Sequence, residues 1–190
     1  MRLMALLTLC ICLVPVSTQV VASDTFVLRI ATLAPRNSPA FQTLDRWNHE
    51  LAQKTGGRAK LQYFAGGIAG DERDVIRKMK VGQLDGAGLS SVGLGQIYRP
   101  ILVMQMPGLF QTNAQMHAVR KEMDAEWQKA FEAQGYVLLG WFDAGFARVF
   151  SKRPIERPSD YRRVRPWVWR EDPMFPEFLA VVGAIWSGVH

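Results

Sequence analysis

Ser90 and Ser91 follow a run of small residues, Gly86-Ala87-Gly88-Leu89, and stand at the start of an apolar stretch, Val92-Gly93-Leu94. Two hydroxyls beside the free amides of a helix start can hold a carboxylate, and the same residues also serve as ordinary helix caps. Asp71, Glu72 and Asp74 form a second concentration of chemistry-bearing groups. Carboxylates so placed can act as an acid pair or hold a metal, but at a helix start they chiefly complement the positive end of the dipole, the reading favoured here. Gly66, Gly67 and Gly70 precede them without the lysine and spacing of a phosphate loop, so a tight turn accounts for these glycines. The histidines are His49, His117 and His190, with neither metal-ligand spacing nor a triad pattern, and neither serine has the flanking glycines of a nucleophile elbow. The residue inventory therefore points to binding rather than to catalysis, with no cofactor and no metal expected.

The compartment is read from the first residues. Arg2 is followed by an apolar run from Leu3 to Val16, and Val20-Val21-Ala22-Ser23 offers small residues for cleavage. This is the pattern of a signal peptide over residues 1–23, although an uncleaved anchor has a similar appearance. The run is shorter than the roughly 20 residues needed to cross a bilayer as a helix. Cys10 and Cys12 both fall within it, so no cysteine is left in the exported chain and thiol chemistry is excluded there. The expected location is the periplasm. Loss of Arg2 with the leader lowers the formal net charge from +6 to +5. That charge is concentrated between Arg148 and Arg170, where Lys152, Arg153, Arg157, Arg162, Arg163 and Arg165 face only Glu156 and Asp160. Such a stretch suits an anionic ligand or is a solvated loop surface; export and the lack of repeats argue against nucleic acid.

With 48% hydrophobic residues the chain can bury a core, and its pattern alternates strand and helix. Phe26 to Leu33 reads as a strand, followed by turn residues Ala34 to Pro39. Ser38 as a cap and Pro39 at the first helical position open a helix carrying Phe41, Leu44, Trp47 and Leu51, stopped by Gly56-Gly57. Ala59 to Ala65 is a second strand, the helix from Asp71 buries Val75, Ile76 and Met79, and Leu84 to Ser90 is a short third strand. Pro100 to Phe110 reads as a buried crossing segment. Asn113 caps a long helix with Met116, Val119, Met123, Trp127 and Phe131 on its apolar side. Tyr136 to Trp141 and Val164 to Trp169 read as further strands, and Asp172-Pro173 starts a last helix. Pro154 and Pro158 mark a hinge-like connection.

The segment YFAGGIAGDERDVIRKMKVGQLDGAGLSS, the MPGLF segment, and SKRPIERPSDYRRV before a core strand carry a resemblance to a known family. The chain resembles the DctP-type substrate-binding proteins of TRAP transporters, the tripartite ATP-independent periplasmic importers. The tract Trp167-Val168-Trp169-Arg170-Glu171-Asp172-Pro173 is similar to one subgroup of that family. The resemblance implies an α/β fold of the periplasmic binding protein type II kind, a small organic anion or an aromatic or planar solute as ligand, and TRAP membrane permease subunits as partners. The implied organisation is a first α/β lobe over residues 24–150, then a hinge strand and the start of a second lobe over residues 151–190.

Two departures shape the expected site. Alignment through Asp160, Val164 and Val168 puts Trp167 where typical members have an arginine that forks onto a substrate carboxylate. A tryptophan there suits a planar or apolar ligand or serves as packing. Arg148 lies about one residue out of register with another family arginine. Trp169, Phe146 and Asn37 complete the candidate ligand-binding set with Ser90, Ser91, Arg148 and Trp167. The second departure is length. The chain stops at His190, soon after Val182-Gly183-Ala184, where members cross into a second half, so the expectation is a first lobe with the second only begun, as a premature stop or frameshift would leave it; the alternative to a working solute binder is a nonfunctional or partner-dependent fragment of one.

Overall fold

The computed structural model describes residues 25–143 and 145–188. The segment expected to be a signal peptide, with Cys10 and Cys12, and the terminal His190 lie outside the described residues. Strand β1 (Phe26–Thr32) is central in a parallel sheet of order β2-β1-β3, with β2 at Ala59–Phe64 and β3 at Gly86–Gly88. The register pairs Phe26 with Ala59 and Ile30 with both Tyr63 and Gly86. Each parallel strand needs a helical crossover to return the chain, and α1 (Pro39–Lys54) and α2 (Glu72–Lys80) supply them.

Helix α1 begins as expected: Ser38 Oγ accepts the Phe41 N–H at 3.2 Å, and Pro39 occupies the first turn. The helix faces the sheet through Phe41, Leu44 and Asn48. The Phe41 ring meets Tyr63 edge-on at 5.6 Å, and the Tyr63 hydroxyl donates to the Leu44 carbonyl at 2.9 Å. Burial, and then the nearby Asp45 charge, push the Tyr63 hydroxyl up to about 12. Trp47 departs from the expected apolar face and is 54% exposed, because three residues after Leu44 the helical rotation carries it to the edge of the stripe.

Arg29 on β1 holds the turn before β3. Its Nε donates to Asp85 Oδ2 at 2.9 Å, its guanidinium also reaches Asp85 Oδ1 at 3.0 Å and the Gly82 carbonyl at 2.8 Å, and its backbone N–H donates to Asp85 Oδ2. These donors, the guanidinium foremost, hold the Asp85 carboxyl at about 2 against an ordinary 3.8. A carboxyl depressed in the folded state favours folding above its unfolded value and loses that contribution as pH falls through the folded one. The melting temperature of Asp85→Asn is therefore expected to lie below wild type at neutral pH and to change less between about pH 4 and pH 2. Parallel melting curves for the two proteins through that window would overturn this role.

Three core clusters form. The first packs Ala31, Ala69, Val75 and Leu84 between the sheet and α2. The second joins Ile101, Trp127 and Phe131. The third joins Val168, Leu179 and Ala184. After α3 (Ser91–Ile97), the expected crossing segment is a 3-10 helix, Arg99–Gln105, that buries Ile101 and Leu102, while Met106 and Leu109 are exposed. Helix α4 (Asn113–Glu132) is capped by Thr112 rather than by Asn113: Thr112 Oγ1 accepts the Gln115 N–H, and Gln115 Oε1 accepts the Thr112 N–H.

The expected strand at Tyr136–Trp141 is absent as a strand. Tyr136 and Leu138 pack on the second cluster while Val137 and Leu139 are 73% and 83% exposed, a period-two alternation that ends at exposed Gly140 and inward-packed Trp141. A strand also needs a hydrogen-bonded neighbour, and among the described residues none lies beside this segment. Side chains hold it instead: Trp141 Nε1 donates to Asp124 at 3.0 Å, and Asp143 takes His117 Nε2 at 2.6 Å and Arg120 at 2.7 Å. Arg120 and then His117 draw the Asp143 carboxyl below its usual range. The expected Val164–Trp169 strand is reduced to β4 (Trp167–Val168), paired in parallel with β5 (Ser187–Gly188), because a 3-10 turn over Pro158–Arg163 ends only at Val164. The last helix, α5, runs Phe175–Val181. Asp172 Oδ1 accepts the Met174 and Phe175 N–H groups before it.

Candidate functional site

In an open parallel sheet the loops at the carboxyl ends of the strands form the ligand-facing rim, and the crevice opens where successive connections leave to opposite sides. With the order β2-β1-β3 that point lies between β1 and β3. Three loops meet there. The loop after β1 is tied to the one after β2 by the Gly66 N–H to Ala34 carbonyl bond at 3.0 Å and the Gly67 N–H to Thr32 carbonyl bond at 3.3 Å. The Thr32 hydroxyl accepts the Ala34 N–H at 3.1 Å. Leu33, Gly67, Gly70, Glu72, Gly88 and Leu89 border a small hollow at this junction. A narrow residue of β3 serves close approach: a Cβ on Gly86 would lie 2.9 Å from Ile30 Cδ1, whereas one on Gly88 would make ordinary contact with Thr32 and the Phe142 ring.

Ser90 caps α3, with its hydroxyl accepting the Val92 N–H at 3.2 Å. The same hydroxyl donates to Glu72 Oε2 at 2.7 Å, and the Ser90 backbone N–H donates to Glu72 Oε1. Glu72 is 1% exposed, so this acid is a buried tie between α2 and α3, beyond the dipole role its position suggests. Its neighbour Asp71 takes the capping role, accepting the Asp74 N–H at 3.0 Å. The sequence carried one signal for Glu72: it lies one residue past a cap, on the side of α2 that also presents Val75 and Ile76 to the core.

Ser91 is the first residue of α3 and is half-buried. Asn37 is exposed in the turn before α1, and Phe146 and Arg148 are exposed on the extended chain after Gly145. Trp167 points out from β4, 58% exposed, because its neighbour Val168 is the one turned into the third cluster; Trp169 is half-buried. The rim thus brings Ser90 and Ser91 together at the strand ends. None of the seven candidate residues borders the small hollow itself.

The basic stretch divides into groups with structural duties and groups without them. Arg162 Nε donates to the Val182 carbonyl at 2.6 Å, closing the end of α5. Arg170 lies 3.1 Å from Glu171 and 3.8 Å from Asp71, and Gln105 reaches Asp172 at 3.4 Å, so the β4–α5 unit leans on the start of α2 and on the 3-10 helix. Asp160 accepts the Arg157 and Glu156 N–H groups, which lower its carboxyl from the ordinary value. Arg148, Lys152, Arg153 and Arg165 make no ion pair among the described residues and carry the open positive charge. A second, wider hollow of about 450 Å³ is edged by Arg73, Arg77, Lys80 and Arg170 against Asp71 and Asp74. Among the described residues no group of acids, histidines or cysteines has the arrangement of a metal site.

The fold is shared with known proteins. The chain is 34% identical over 141 residues to the Salmonella typhimurium protein YiiZ, covering 72% of the chain and 42% of that protein. A TRAP periplasmic solute-binding protein from Sulfitobacter sp. NAS-14.1, solved with bound β-D-galacturonate, superposes with a TM-score of 0.76 at 28% identity, covering 86% of this chain and 55% of the other. The corresponding protein from Roseobacter denitrificans, with bound β-D-glucuronate, gives a TM-score of 0.76 at 26% identity over 86% and 54% of the two chains. The chain thus spans about half the length of the relatives it matches. Residues 30–166 match the model of the DctP family, bacterial extracellular solute-binding protein family 7, and the chain belongs to that family.

Proposed function

We propose that this chain is the extracytoplasmic solute-binding component of a TRAP transporter, taking up a small organic carboxylate in the periplasm and handing it to membrane permease subunits. The observation that carries the reading is the family match over residues 30–166, together with a likeness of 0.76 in TM-score to a protein holding a sugar acid. The solute sits at the strand-end rim, with Ser90 and Ser91 on one side, Asn37 at its lip, and Arg148, Phe146, Trp167 and Trp169 approaching from the later part of the chain. Residues 24–150 act as the first lobe and residues 151–190 as the hinge and the start of the second. Trp167 is free to lie against a sugar or other planar face, since 58% of it is exposed.

Titration calorimetry of the chain with D-galacturonate, D-glucuronate and simple carboxylic acids tests the reading. Saturable binding of at least one of them is expected, with Trp167→Ala weakening it by about 1 kcal/mol and leaving the melting temperature nearly unchanged. No heat from any carboxylate would reject the reading.

A second reading, that the chain binds only in company with another polypeptide, is favoured by one feature. Val137, Leu139, Val149 and Phe150 are exposed along an extended segment without a paired strand among the described residues, and Phe150 is 93% exposed. Under that reading the chain alone self-associates or aggregates in sedimentation experiments.

A further inference from the structure

Among the described residues the aromatic ring of Phe142 belongs to none of the three core clusters. The extended chain after α4 sends Trp141 inward, where its ring meets Trp127 edge-on at 5.5 Å, and the next side chain, Phe142, turns outward and is 57% exposed. That outward side is the strand-end rim. A Cβ on Gly88, the last residue of β3, would lie 3.8 Å from Phe142 Cε1 and 3.5 Å from Thr32 Oγ1. The ring therefore stands beside the carboxyl end of β3 and near the last residue of β1, where an open parallel sheet of this order presents its crevice. Two more apolar side chains are exposed on the loops that follow β1 and β2, Leu33 at 41% and Ile68 at 67%.

Phe142 is held on both sides. Before it, Trp141 Nε1 donates to Asp124 Oδ1 at 3.0 Å, and the Arg120 guanidinium lies over the Trp141 ring at 5.8 Å. After it, Asp143 Oδ2 meets His117 Nε2 at 2.6 Å, and its Oδ1 accepts Arg120 Nη1 at 2.7 Å. His117, Arg120 and Asp124 all belong to α4, whose apolar side is fixed in the core by Trp127 and Phe131. Folding has thus already ordered the chain that carries the ring, so a ligand meeting it has less ordering to oppose. The same pairs occupy the Asp143 carboxylate, and the ring faces the rim without an unpaired acid next to it in the chain.

We propose that Phe142 is a solute-contacting, specificity-determining residue: an aromatic wall at the carboxyl end of β3, seated by the Trp141 and Asp143 anchors, that takes the apolar face of a ring. Pyranose acids offer such a face in their C–H groups, and planar heterocyclic acids offer a π-face. A short acyclic acid offers neither. Acyclic carboxylates are still admitted, because they forgo only this contact. Phe142 sets a preference through the ring of the solute and leaves its charged end to other groups.

The inference rests on the proposed solute-binding function, and the test separates the two. The full chain is titrated by calorimetry with D-glucuronate, D-galacturonate and orotate as ring-bearing probes and with succinate as the acyclic one. Phe142→Ala is expected to weaken each ring-bearing probe that wild type binds by about fivefold or more, and succinate by less than about twofold. Phe142→Tyr keeps the wall and is expected to stay within about twofold of wild type for the ring-bearing probes, which serves as the control where wild type does not bind succinate. Asp143→Ala leaves the ring but releases its seat, and a loss of about threefold or more is expected for the same probes. Loss of folding alone would weaken ring-bearing and acyclic probes together, so their ratio reads the contact and not the stability. Unchanged ring-probe affinity in Phe142→Ala overturns the proposal, as does an equal loss of both probe types or a wild type that binds succinate alone. A folded Asp143→Ala protein with wild-type affinity overturns the anchoring. If wild type binds none of the four probes and no other simple carboxylate, the solute-binding reading falls first and the inference with it; binding that Phe142→Ala leaves unmoved removes the inference and leaves the function standing.

Discussion

Replacing Trp127 with alanine is expected to destabilise the protein by about 3–5 kcal/mol, measured as a drop in the urea midpoint and melting temperature. Trp127 is 1% exposed at the centre of the second cluster, between Ile101 and Phe131, and its ring meets Trp141 edge-on at 5.5 Å. Large aromatic side chains in a core of this kind cost both the lost transfer energy and the cavity that remains. The loss here has a second consequence. The Tyr136–Trp141 segment has no strand neighbour among the described residues and rests on this cluster, so removal of Trp127 also takes away its seat. Faster amide exchange or protease cleavage between Tyr136 and Phe150 should accompany the global effect. A change below about 1 kcal/mol would show that α4 contributes little to the core.

Gly70→Ala is the second large effect expected, about 2–4 kcal/mol. Gly70 ends the loop after β2 with φ +98°, a backbone state that side-chain-bearing residues rarely adopt, and a Cβ there would lie 2.7 Å from the Cβ of Asp74. Asp74 cannot simply turn aside, because its backbone N–H is held by the capping carboxylate of Asp71. The strain is therefore passed to the first turn of α2, which carries Glu72. Gly82→Ala provides the comparison: its φ is +69° but nothing lies within 4 Å of the added Cβ, so a cost near 1 kcal/mol is expected. Chemical denaturation of the two variants side by side measures the difference. Equal losses would mean that backbone conformation alone, and not the approach of Asp74, makes Gly70 necessary.

The elements up to α3 were largely legible because their signals are local. Ser38-Pro39 announces α1, Asp71 announces α2 and Ser90 announces α3, each with a side chain that caps within three residues of itself. Strand lengths were read slightly long, as with Leu84–Ser90 against Gly86–Gly88, since only backbone pairing sets where a strand stops. Tyr136–Trp141 shows the limit more clearly. Its burial alternates only from Tyr136 to Leu139, and a strand is besides a property of two segments, the second of which is not among the described residues. The candidate site was legible in the same proportion. Ser90 and Ser91 could be placed at a helix start from their neighbours, whereas the bond that occupies Ser90 comes from Glu72, eighteen positions away.

By itself the sequence determined the alternation of strand and helix, the absence of catalytic histidine or nucleophile patterns, the concentration of positive charge after Arg148 and the motifs that mark the family. These depend on residue type and short spacing, which survive in one dimension. The tertiary structure alone decided that Arg29 clamps Asp85 across the sheet, that Trp47 lies off the buried stripe, and that Glu72 is a buried partner of Ser90 rather than an exposed first-turn acid. Each of these is set by which surfaces meet after the chain has crossed from one side of the sheet to the other. Helical and strand periodicities specify only which way a side chain faces, not what it finds there.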